Sequence, residues 1–213
     1  MLRAGLALEA GLVPLAYGLG WLAGVDPGVS LRADAKGLAQ GLAATLPLAA
    51  LLALLLAFEG WGPLARIRRT VEELLGPLLA AARPVELAAL CALAGLGEEL
   101  FFRGFLQAWL ARLLGPAWGL VLGGLLFGMA HALTPLYVVL AWAIGVYLGW
   151  VWTASGNLLV PVVAHGLYDL VALVWMMRLR RRGPGGGLGP SELADGPAAP
   201  DPVSPGDAGR NYD

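Results

Sequence analysis

The sequence has one cysteine, Cys91, one lysine, Lys36, and two histidines, His131 and His165. A lone cysteine cannot close a disulfide within the chain or build a cysteine-rich zinc centre. Charge is scarce too: Asp, Glu, Lys and Arg make up 14% of the 213 residues, against about 25% in soluble domains. The net charge is -1. There is no sustained basic face apart from a short run at Arg178, Arg180, Arg181 and Arg182, which argues against nucleic acid as a partner. Repeats of solenoid period are missing, as are the inverted repeats that many transporters carry.

Apolar residues dominate instead, at 58% of the chain with a mean hydropathy of +0.72. About 20 consecutive apolar residues cross a ~30 Å hydrocarbon layer as a helix. Six such segments can be drawn, at about 4–25, 38–58, 85–106, 116–134, 135–154 and 156–177. The expected fold is therefore all-α: a polytopic bundle of about six membrane spans occupying residues 1–182, with the lipid bilayer as its surroundings. The first segment has a signal-peptide-like start, but its apolar run is long, is interrupted by Glu9 and lacks a small-x-small cleavage site, so it reads as a membrane helix. Pro161 is expected to kink the last span by leaving the Asn157 carbonyl without its helical partner.

Between the second and third segments, Leu64, Ile67, Val71, Leu74, Leu75 and Leu78 recur at helical spacing opposite Arg66, Arg68, Arg69, Glu72 and Glu73. This pattern predicts an amphipathic helix lying in the headgroup region. With six spans, both termini lie on one side. Arg3, Arg66, Arg68, Arg69, Arg83 and the Arg178–Arg182 run fall on that face, against Arg32, Lys36 and Arg112 on the other. The excess places both termini in the cytoplasm. The abundance of Ala, Leu, Gly and Arg fits a GC-rich bacterial genome and hence the bacterial inner membrane. Residues 183–213, rich in Gly, Pro, Ala and Asp, read as a disordered cytoplasmic tail.

An ionisable side chain at bilayer depth costs a few kcal/mol, roughly, on insertion scales, and so points to function. The cluster here comprises Glu98, Glu99 and Arg103 in the third segment, His131 at the end of the fourth, and His165 and Asp169 in the sixth. Residues four apart share a helix face, so Glu99 can pair with Arg103. Glu98, turned by about 100°, is left free. His165 and Asp169 form one stripe, and Phe127 lies beside His131. A buried carboxylate next to imidazoles can take a proton from water, whose oxygen then attacks a carbonyl; a second imidazole can hold the oxyanion. No Ser, Cys or Lys is placed beside a base, and Cys91 reads as a packing residue.

At these residues the sequence resembles the CPBP family, the CAAX proteases and bacteriocin-processing enzymes. The family's Glu-Glu-x-x-x-Arg reads Glu98-Glu99-Leu100-Phe101-Phe102-Arg103. Its Phe-x-x-x-His reads Phe127 to His131, and its His-x-x-x-Asn/Asp reads His165 to Asp169. The likeness covers about 84–177, which makes that stretch the catalytic core. It implies an intramembrane endopeptidase in which Glu98 and His131 activate water, His165 and residue 169 line the oxyanion site, and Glu99 with Arg103 and Phe127 supports them. The substrate class it implies is a peptide or membrane protein. A metal-free mechanism without cofactor is the preferred reading, and zinc on Glu98, His131 and His165 is the alternative. Position 169 is Asp, whereas eukaryotic CAAX endopeptidases carry Asn; an ionised Asp has no proton to donate. Three other readings of the cluster are polar packing, an inactive scaffold and a proton-coupled transporter.

Overall fold

The computed structural model describes the backbone of residues 2–182 and the side chains as far as 178. The tail expected at 183–213 lies outside the described residues. The described residues as far as Met177 form one compact unit. Every described element is helical. They are α1 (Leu2–Ala23), α2 (Ala35–Ala57), α3 (Gly62–Ala81), α4 (Pro84–Glu99), a π-helical stretch (Leu100–Gln107), α5 (Ala108–Leu114), α6 (Pro116–Ala130), α7 (Pro135–Ser155) and α8 (Leu159–Arg182).

Each apolar segment coincides with a helix. Four stretches are long and apolar enough to cross a membrane: α1, α2, α7 and Leu159–Arg178. These make the chain an integral membrane protein. The remaining two segments are less regular than the expected count of six assumes. At 15 residues, α6 is about 22 Å long, short of the ~30 Å hydrocarbon layer. The third segment is a continuous helical run whose winding widens from α to π after Glu99. Side chains such as Trp21 and Leu22, 81% and 74% exposed, suit lipid rather than water.

Local chemistry sets the helix ends. Asp34 caps α2 by accepting from the Gly37 amide at 2.6 Å, and Thr134 caps α7 by accepting from the Tyr137 amide at 3.1 Å. α7 ends at Gly156, whose φ of +62° is the left-handed conformation that glycine adopts without strain. The expected kink at Pro161 does not arise. α8 begins at Leu159, so this proline falls in the first turn, where a missing N–H costs nothing. The Asn157 carbonyl accepts from the Val160 amide at 3.1 Å and from the Ser155 hydroxyl at 3.2 Å.

α3 is the amphipathic helix the spacing predicts. Leu79 packs with Leu87 of α4 and Met176 of α8, while Val71, Leu75, Leu173 and Trp175 surround them. Arg66, Arg68 and Arg69 are exposed.

Two close approaches position the motif helices. A β-carbon on Gly95 of α4 would lie 2.7 Å from the Val162 carbonyl oxygen and 3.0 Å from the Gly166 amide nitrogen of α8. One on Gly128 of α6 would lie 2.7 Å from the Val138 carbonyl oxygen and 2.8 Å from the Trp142 amide nitrogen of α7. Glycine at these points lets backbones touch. The motif side chains carried by α4, α6 and α8 are thereby drawn to a common centre.

Candidate active site

Glu98 and Glu99 are adjacent on α4, so the helical turn aims them in different directions. Glu99 is fully buried, and its Oε1 accepts from two donors at once. Arg103 Nη1 donates to it at 2.8 Å, and His165 Nδ1 donates to it at 2.8 Å. Arg103 is completed on its other side by Nη2 donating to the Gly145 carbonyl of α7 at 3.0 Å. The Phe127 ring lies below its guanidinium, 4.4 Å from centroid to Cζ. This arrangement joins the π-helical stretch, α4, α6, α7 and α8 through one buried charge pair.

Glu98 turns toward α6, where its Oε2 lies 3.5 Å from His131 Nε2. His131 is the residue that ends α6 rather than one inside a span, and its Nδ1 donates to the Phe127 carbonyl at 2.9 Å. With the proton committed at Nδ1, Nε2 carries a second one only when the ring is charged. Glu98 and His131 therefore face each other across a gap where one proton can sit on either partner. Glu98 Oε2 is buried and has no hydrogen-bond partner among the described residues.

His165 is buried on α8. Its Nδ1–H is held by Glu99, which aims Nε2 the other way, toward Asp169 Oδ2 at 3.4 Å. Phe127 sits among all of these groups, its centroid 4.4 Å from the His131 ring, 5.8 Å from His165 and 5.1 Å from Phe102. The structure thus gathers Glu98, Glu99, Arg103, Phe127, His131, His165 and Asp169 around one centre, in two linked groups: Glu98 with His131, and Arg103–Glu99–His165–Asp169.

The zinc alternative can be tested on this donor set. Among the described residues, no group of three or more His, Cys, Asp or Glu side chains is arranged to hold a metal ion. His165 Nδ1 is bonded to Glu99 and Nε2 faces Asp169, so the trio Glu98, His131 and His165 does not converge as three ligands. The residues present do not fit a zinc centre.

Sequence reasoning missed two contributors. The Gly145 carbonyl is invisible to it because it is backbone. Glu9 left a signal, a carboxyl within an apolar run, and lies within electrostatic range of Glu98, His131, His165 and Asp169. Cys91 is buried, and its carbonyl would lie 3.0 Å from a β-carbon on Gly166, which suits a packing residue.

Compared with known proteins, residues 80–171 match the family model described as Type II CAAX prenyl endopeptidase Rce1-like. The match takes in all seven residues of the cluster. No curated protein and no solved structure is significantly similar to the chain.

Proposed function

Since residues 80–171 belong to the CAAX-protease (CPBP) family, we propose that the protein is an intramembrane endopeptidase that hydrolyses a peptide bond with water activated by Glu98 and His131. The observation that carries this reading is the facing pair Glu98 and His131, 3.5 Å apart, with a buried carboxylate oxygen that has no donor among the described residues. A water bridging the two would be polarised from both sides.

In the proposed reaction Glu98 takes a proton from water, and the oxygen adds to the scissile carbonyl carbon. The negative charge that moves onto the carbonyl oxygen is met by the Nε2–H of His165. Glu99 fixes that ring by accepting from Nδ1 at 2.8 Å, and in the charged ring Nε2 carries the second N–H. The proton held by Glu98 then passes to the leaving nitrogen, the C–N bond breaks, and an acid and an amine are released. Arg103 keeps Glu99 in place and touches no reacting atom. No step is routed through a metal. The substrate class is a peptide or membrane protein, and the setting is a bacterial inner membrane with both termini in the cytoplasm.

Comparative proteomics of membranes from cells carrying native protein or Glu98→Gln tests the reading and identifies the substrate. A peptide spanning the cleavage site then gives rates in detergent or liposomes. Glu98→Gln is expected to lose about 10²–10⁴-fold in kcat while unfolding at the native temperature. Native-level cleavage by this variant would remove Glu98 as the base. A scaffold would show no product difference between the two membranes, and a transporter would show residue-dependent flux without cleavage.

A further inference from the structure

Glu9 lies on α1, a helix that contributes to none of the three motifs. Its contacts show which face it occupies. A β-carbon on Gly5 would lie 3.5 Å from Leu90, and one on Gly97 would lie 2.5 Å from the Glu9 carbonyl oxygen and 3.4 Å from Leu12 Cβ. Positions 5, 9, 12 and 16 follow one helical stripe, ending at fully buried Ala16. That stripe runs along α4 and brings Glu9 against the residue preceding Glu98. The carboxyl is within electrostatic range of Glu98, His131, His165 and Asp169. Its Oε2 is buried and has no hydrogen-bond partner among the described residues.

The charges around the site leave Glu9 alone. Arg103 is paired with Glu99, His165 lies between Glu99 and Asp169, and His131 faces Glu98. None of the ion pairs among the described residues includes Glu9. Oε2, buried and outside every ion pair among the described residues, is where the carboxyl can carry a proton. In that form it is an O–H donor.

Donors are what the site is short of. Oε2 of Glu98 and Oε2 of Glu99 are both buried acceptors without a partner among the described residues. His165 spends Nδ1–H on Glu99, so Nε2 carries an N–H only when the ring is charged, and Asp169 competes for it at 3.4 Å. Asp169, when ionised, cannot supply the second donor that an amide at this position would.

We propose that Glu9, as a neutral carboxylic acid, is a further catalytic residue whose O–H hydrogen-bonds the oxyanion formed when water attacks the scissile carbonyl. The proposal rests on the reaction described above. No covalent bond to Glu9 forms, and its proton stays with it as charge develops and disperses. A carboxylic acid held neutral by apolar surroundings is a known oxyanion donor.

The test uses full-length protein in liposomes and the peptide spanning the mapped cleavage site, with Glu9→Gln, Glu9→Leu and Glu98→Gln side by side. Glu9→Gln keeps a neutral N–H donor and is expected to stay within about tenfold of native kcat. Glu9→Leu is apolar and suits a membrane helix, yet it is expected to lose about 10²–10³-fold in kcat with KM little changed, the range for deleting one oxyanion donor. Equal activity of Glu9→Leu and the native protein would overturn the proposal by making Glu9 a packing residue. A Gln variant as impaired as the Leu variant would overturn it by showing that the ionised carboxylate is needed. A loss confined to KM would overturn it by making Glu9 a binding group only. Glu98→Gln separates the two levels: if it is inactive while Glu9→Leu is active, only the Glu9 assignment falls, and if it is active, the water-attack reading falls as well.

Discussion

Arg103 is 1% exposed, and its charge is tolerated in the interior only because Glu99, the Gly145 carbonyl and the Phe127 ring surround it. Removing one partner of a buried pair leaves the other uncompensated, at a cost of about 3–5 kcal/mol. Arg103→Leu is therefore expected to destabilise by about that amount, read by unfolding in mixed micelles. The double variant with Glu99→Leu is expected to cost less than the sum of the singles, because the stranded charge is gone. Spacing alone made the Glu99–Arg103 pair legible. It could not show that the same Glu99 oxygen also accepts from His165, a residue on another helix.

The helices that matter most are those whose regularity is broken. After Glu99 the helix widens into a π-helical stretch, Leu100–Gln107, a form frequent at functional sites. Nothing in the apolar pattern announces it, since a stretch of two turns is too short to define a period of its own. Glycines set the distances between elements. At Gly128 a β-carbon would meet backbone atoms of α7 on two sides, and backbone cannot move aside as a side chain does. Gly128→Val is expected to cost about 1–3 kcal/mol in stability by overpacking. It should also lower kcat by about 10²-fold, the effect of a ~1 Å misplacement, since Phe127 and His131 ride on the same turn. A variant with lowered stability and native kcat would show that α6 moves as a rigid piece without disturbing the pair.

For the molecule as a whole, the loops report which ends lie together. The Leu158 amide donates to the Ser30 carbonyl at 3.0 Å, Asn157 bonds the Arg32 backbone through both its amide atoms, and Arg112 donates to the Gly24 carbonyl. The α1–α2 loop, the end of α5 and the α7–α8 turn thus share one end of the bundle, as an alternating path through the bilayer requires. In a Cys91→Ala background, single cysteines at Val29 and Gly60 are expected to react with an impermeant thiol reagent from opposite sides, Gly60 from the cytoplasm. Labelling of both from the same side would mean that α2 does not cross.

Composition and period decided the helical class, the places where helices form, the amphipathic character of α3 and the two faces of the adjacent glutamates. These are local consequences of 3.6-residue winding and of the cost of burying charge in hydrocarbon. Tertiary structure alone decided the rest: that Pro161 starts a helix instead of bending one, that the third segment unwinds into π geometry, that His165 is held by Glu99, and that Glu9 comes to rest beside Glu98. Each depends on which backbone lies against which, and that is settled by contacts between residues far apart in the chain, where no local period carries information.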